Sequence, residues 1–323
     1  MKLFSLNPNR FSIYVVCIFL VFQFQISHSQ QTIDSLPYGL PVLPNVTGFG
    51  LDSKGGSGGE IIRVSNLNKE GSGSLSEAIQ FDGPRIIVFE VAGVIDLEGN
   101  SLQISNPFVT IAGQTAPFPG ITIIKGGIKI RSHDVIIQHI KVRPGEAGFK
   151  KKSGWEVDGI STSSGAYNVI VDHCSLTWAT DENLSASGPR FDGENTEQWR
   201  KNTSHRMAFS NCIIAEGLSN STHAKGEHSK GSLIHDNATE ILIIGNLFAN
   251  NMNRNPYCKG GTQVAILNNF IFNPGQAAIH YKLVEKEWRR KDPVTGKIVA
   301  AGNSIEFGSD SRSTISGGSF QAP

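Results

Sequence analysis

Two acidic clusters stand out in this 323-residue chain: Trp155-Glu156-Val157-Asp158-Gly159-Ile160 and Thr180-Asp181-Glu182-Asn183. In extended backbone Glu156 and Asp158, two apart, share a face. Brought beside Asp181 from the following segment, they would supply three carboxylates, a donor set for a hard, oxygen-seeking cation such as Ca²⁺. Taken alone, either cluster is more simply a solvated loop. A concentration of cations changes the weighing: Arg200, Lys201, His205, Arg206, His223, Lys225, His228 and Lys230, then Arg254 and Lys259, interleaved with Gly and Asn. A solvated basic face is the ordinary explanation, but the Gly and Asn spacing between short strands suits a groove for an acidic polymer. His205, His223 and His228 lack zinc-ligand spacing with a cysteine or second histidine, so no zinc site is expected. Trp155, Trp178 and Trp199 are sugar-stacking platforms or, more simply, packing residues.

The elements that must position these groups are strands. Short β-branched runs cover 85–94, 109–113, 121–130, 135–142, 169–176, 207–214, 241–248 and 264–272, and helical periodicity is nearly absent, so the chain reads as all-β. The last five runs overlay with His139-Ile140, His173-Cys174, Asn211-Cys212, Asn246-Leu247 and Asn269-Phe270 in register, a polar column beside an apolar one. Their starts lie 34, 38, 34 and 23 residues apart. A constant register at such spacing is the mark of stacked solenoid coils. The expected fold is a right-handed parallel β-helix. Its Asn column, with His139 and His173, forms a ladder at a turn, while Ile140, Cys174, Cys212, Leu247 and Phe270 stack inside. Cys174 and Cys212 are then neighbours on successive coils, as a free pair or a disulfide. Ser74-Leu75-Ser76-Glu77 reads as a capping box, so a short helix over 74–80 is expected to cover the N-terminal end. The catalytic domain is expected over 30–285, followed by a strandless tail over 286–323, either a packed tail or the cut end of a longer chain.

Residues 1–29 have a basic start (Lys2, Arg10), an apolar stretch over 11–26 and Ser27-His28-Ser29, which together read as a secretory signal peptide. The mature chain would be secreted, or periplasmic in a bacterium, with no further bilayer-spanning segment. Removal of Cys17 leaves Cys174, Cys212 and Cys258, an odd set that cannot build a full disulfide framework. Five glycosylation sequons (Asn45, Asn183, Asn202, Asn220, Asn237) mark a glycoprotein in a host that uses them. A formal charge of +1 carries no nucleic-acid signature, and a monomer is expected.

Val169-Ile170-Val171-Asp172-His173-Cys174-Ser175 resembles the "WIDHCS" strand of the pectate lyases of polysaccharide lyase family one. Arg254-Asn255-Pro256-Tyr257-Cys258-Lys259-Gly260-Gly261 is similar to their R-x-P-x-x-R segment, at the right separation and in the right order. The resemblance runs from about residue 48 to 281. It implies a right-handed parallel β-helix, Ca²⁺-dependent β-elimination and an extracellular acidic polysaccharide of the polygalacturonate or pectin type. Position by position, it implies metal ligands at Glu156, Asp158 and Asp181. The family's further Asp falls on Ser185, with Glu182 as the compensating acid. It also implies a substrate-binding Lys230, a catalytic Arg254, and Lys259 where the family has a second Arg, so that Lys230, Arg254 and Lys259 bind substrate and act in catalysis. Lys259 keeps the charge but lacks the planar fork that holds a carboxylate through two bonds.

Three rivals stay open. One is a β-helical lyase for another uronate or for esterified pectin; another is a hydrolase using Asp158 and Asp181 as an acid–base pair. The third is a noncatalytic glycan-binding β-helix.

Overall fold

The structure, a computed structural model, describes residues 47–312. The leader over 1–29, Cys17 and the sequon at Asn45 lie outside the described residues. Among the described residues, strands form three sheets of nine, seven and eight members, and every neighbouring pair is parallel. Between the first and last coils each turn gives one strand to each sheet: Tyr167–Asp172, Ser175–Thr177 and Glu182–Ala186 make one turn, and His205–Ser210, Ile213–Ala215 and Lys230–Ile234 stack on it as the next. Repeated parallel crossovers take the right hand, and the result is the right-handed parallel β-helix expected.

The first sheet shows why the runs are apolar. Val169 and Val171, Met207 and Phe209, and Ile241 and Ile243 alternate inward and are fully buried. The residues between them, Ile170, Ala208 and Leu242, face out but are covered by Phe49 and Leu51. A sheet buried on both faces reads as a continuous hydrophobic run.

At the corner between the first and second sheets the expected register is corrected by one residue. The ladder pairs Ser175 with Ile213, Leu247 and Phe270. The inward column is therefore Ile140, Cys174, Cys212, Asn246, Asn269 and Asn303, and Phe270 is 39% exposed instead of internal. An amide ladder is present, but inside. Asn246 Nδ2 donates to Asn269 Oδ1 at 3.0 Å, Asn269 Nδ2 to Asn303 Oδ1 at 2.8 Å, and Cys212 N–H caps the stack on Asn246 Oδ1 at 2.8 Å. The outer column is His139, His173, Asn211, Gly245, Asn268 and Gly302, all at positive φ. His139 and His173 stack there at 4.9 Å. Asn serves either column, because it tolerates the left-handed turn and also fills a buried ladder. The residue type alone therefore does not separate the two columns.

Cys174, Cys212 and Cys258 are free and buried. The N-terminal cover is helix Leu75–Gln80, with Ser74 Oγ accepting from Glu77 N–H at 3.1 Å and Glu77 reaching back to Gly73 N–H at 2.7 Å. Leu75, Ala78 and Ile79 close the core. The tail read as strandless does contain strands, Lys297–Ala301 and Ser304–Glu306, and with His280–Lys282 just before it they extend all three sheets, as the register with Tyr257, Gln263 and Phe270 shows. Two sequons are also corrected: Asn183 and Asn237 have no exposed surface, so no glycan can sit on them in the folded chain.

Candidate active site

Successive strands of the seven-membered sheet, Ile160–Thr162, Glu182–Ala186, Lys230–Ile234 and Tyr257–Lys259, bring Asp158, Asp181, Glu182, Arg254 and Lys259 to one groove. Glu156 and Asp158 precede the first strand, Asp181 and Glu182 open the second, Lys230 opens the third, and Arg254 and Lys259 flank or end the fourth. Glycine allows the loops to stack this closely: a Cβ on Gly159 would lie 2.4 Å from Asn183 O, and one on Gly231 would lie 2.4 Å from Arg254 O. The Arg254 loop is fastened by its neighbour Asn255, which donates to Asn251 O at 3.2 Å and Ala277 O at 3.0 Å. Asn251 in turn accepts from Asn183 at 3.2 Å, so one buried amide chain ties the Arg254 loop to the acidic strand.

Asp158, Asp181 and Glu182 bring carboxylate oxygens within 4.8 Å of one another. Asp158 accepts from Glu182 N–H at 3.1 Å and from the Ser185 hydroxyl at 2.6 Å. Desolvation, and then the charge of Asp181, push Asp158 up to about 7. Desolvation also opposes the charge on Asp181, but the hydrogen bond from His228 at 2.8 Å and the charges of His228 and Arg254 prevail and hold it below its ordinary value. Glu182 is buried and ion-paired with Arg254. Desolvation pushes the Arg254 guanidinium down, while Asp181, Tyr257, Asp158 and Glu287 pull the other way. Three carboxylates this close carry more negative charge than the ion pair with Arg254 offsets, and such a donor set fits a hard divalent cation.

Glu156 is not brought into this trio. Its Oε1 accepts from Ala224 N–H at 3.1 Å and faces His223 Nδ1 at 3.4 Å. Ser185, in the position of the family's Asp, spends its hydroxyl on Asp158. Lys230 lies across the ladder from Glu182; desolvation and Lys225 lower its proton affinity against the pull of Asp181. Lys225, Lys129, Arg254, Lys259 and Glu287 line the groove of about 680 Å³ over the trio, and Lys230 does not. Lys259 is buried and bound to Glu287 and Asp236. The other cations scatter: Arg206 pairs with Asp52 at 2.6 Å, Arg200 donates to Gly261 O at 3.1 Å, and Lys201 and His205 line a neighbouring hollow.

Sequence reasoning missed the arrangement of His223 and His228, five apart. They are buried, stack at 3.6 Å with 15° between planes, and together abut Asp181. Asp181, His223 and His228 each bring a ligand atom within 4.8 Å of one another, so the expectation drawn from spacing alone is corrected: the fold gathers a set that sequence separation does not show. Asp236 and Glu287 were also missed, since neither neighbours a motif. Of the tryptophans, Trp199 packs in a cluster with Phe191 and Trp288, and Trp155 stacks on Phe149 at 5.2 Å. Trp178 is 47% exposed, under Arg143 and bonded to Glu216 at 3.0 Å.

No protein-family profile matches the chain. Proteins named probable pectate lyase C from Emericella nidulans and Aspergillus flavus are each 36% identical to it over 237 residues, 73% of this chain and 48% and 49% of theirs. The chain thus spans about half the length of the curated relatives it matches. The crystal structure of Jun a 1, the major allergen from cedar pollen, superposes with a TM-score of 0.55 over 73% of this chain and 67% of that one, at 17% identity, a likeness of fold alone. Over those 237 residues the chain is a relative of proteins named pectate lyase, as its Asp-His-Cys strand and its Arg254 segment implied.

Proposed function

We propose that the chain is a secreted, calcium-dependent pectate lyase that cleaves α-1,4-polygalacturonate by β-elimination, leaving 4,5-unsaturated ends. The observation that carries this reading is the trio Asp158, Asp181 and Glu182 with Arg254 ion-paired to it, in a relative of pectate lyases. Those three acids would hold the calcium, which when bound supplies positive charge to a uronate carboxylate and acidifies the adjoining C5–H. With the trio neutralised, the pull of Asp181 and Asp158 on Arg254 is removed, and desolvation, the largest effect on it, favours its neutral form. Arg254 then takes the C5 proton. The C–H electron pair forms the C4=C5 double bond, the C4–O bond breaks, and the departing oxygen takes a proton from water. Lys225, which lines the groove, holds the carboxylate and spreads the enolate charge, whereas Lys230 lies outside that lining and does not take the substrate-holding part the resemblance implies. Lys259, shared between Asp236 and Glu287, has a weaker part than the resemblance implies. The basic, apolar and small-residue order of 1–29 supports export.

The test is ultraviolet detection of the unsaturated product from polygalacturonate, with and without EDTA. Calcium should restore what EDTA removes, and full turnover in EDTA would sink the metal assignment. One observation favours a hydrolase: Asp158 raised beside Asp181 lowered is the split of an acid–base pair. It leaves Arg254 without a role, and saturated products would establish it.

A further inference from the structure

Lys259 stands where the resemblance places a substrate-holding arginine, yet its charge is already engaged. It binds Glu287 and lies 3.4 Å from Asp236. Arg190 reaches the same two acids, Asp236 at 3.0 Å and Glu287 at 3.3 Å. Two cations cancel two carboxylates, and burial keeps the adjoining His235, 2.9 Å from Asp236, from adding a charge. This end of the groove is therefore neutral before any substrate arrives.

Glu287 is not an incidental surface acid. It sits on the short turn Glu285–Trp288, anchored by the fully buried Trp288 against Phe191 at 5.1 Å and Trp199 at 6.3 Å. Its own side chain is 37% exposed and lines the groove. A free uronate carboxylate entering here must displace Glu287 or lie against it, like charge to like charge. A methyl-esterified unit carries no charge and leaves the network intact.

We propose that Glu287 is a specificity-determining residue: by occupying Lys259 and Arg190 it fits this subsite to an uncharged, methyl-esterified uronate, beside the free uronate held over the carboxylate trio. This inference rests on the lyase reading above. The experiment measures kcat/KM with calcium on polygalacturonate and on partly methyl-esterified pectin, from the unsaturated product. Wild type should do at least as well on the esterified polymer. Glu287→Gln, which keeps the shape and frees the charge of Lys259, should move the ratio about tenfold toward polygalacturonate. Glu287→Asp, which keeps the charge, should stay near the wild-type ratio. A wild-type preference of about tenfold or more for polygalacturonate, or a ratio that Glu287→Gln leaves unmoved, overturns the proposal. If Glu287→Gln does not fold, the wild-type ratio alone decides. No unsaturated product from either polymer overturns the lyase reading itself, and the proposal with it.

Discussion

Asp158 lines the groove, Asp236 is buried beside Lys259, which lines it too, and the two part in their chemistry. Asp158 is pushed up to about 7, by desolvation first and then by Asp181, and its bonded partners are an amide and a hydroxyl. Asp236 has no exposed surface, and desolvation acts on it in the same direction. There the hydrogen bond from His235, the charge of Lys259 and the hydrogen bond from Arg190 prevail and hold it at about 2. A carboxylate whose charge is met inside the fold is a structural part. One whose charge is left unmet awaits something from outside, and the difference points to where a cation would enter.

The strongest break of this comparison is Asp181→Ala, which should abolish calcium-dependent turnover while the β-rich circular dichroism stays intact. Arg254→Lys comes next. It keeps the charge and alters reach, so kcat should fall about 100-fold or more with KM little changed, as expected for a lost proton-transfer group. Near-normal turnover would remove Arg254 from the chemical step. On the satisfied side, Asp236→Asn should leave two cations short of a partner and cost about 3 kcal/mol in denaturant titrations.

The two aspartates also predict opposite pH slopes. Asp236, lowered from 3.8 to about 2, contributes stability that is complete above the unfolded value and lost as pH falls through that window. Asp158, raised from 3.8 to about 7, holds a proton that the unfolded chain gives up. In EDTA its contribution therefore declines as pH rises through that window, and calcium should raise the melting temperature more at pH above about 7 than at low pH. The smallest effect is expected of Ser185→Ala. Removing the hydroxyl donor of Asp158 should weaken calcium binding about tenfold by calorimetry, without a change in fold.

Sequence alone determined that this chain builds a solenoid, because inward positions at a constant register must be apolar on every coil and that pattern is written in single residues. It determined the helix at Ser74 for the same reason: cap and partner are three residues apart. It also placed Asp158, Asp181, Glu182 and Arg254 as candidates, each adjoining a strand. The ladder register was beyond it, since Asn satisfies both a left-handed turn at Asn211 and a buried amide stack at Asn246. The strands over 297–306 were hidden because edge strands on the last coil have little to bury and keep little apolar pattern. Only the tertiary structure decided which charges are free. Glu287 reaches Lys259 across 28 residues and Arg190 across 97, and His228 reaches Asp181 across 47. Electrostatic pairing depends on distance in space and on exclusion of water, and neither is carried by position along a chain.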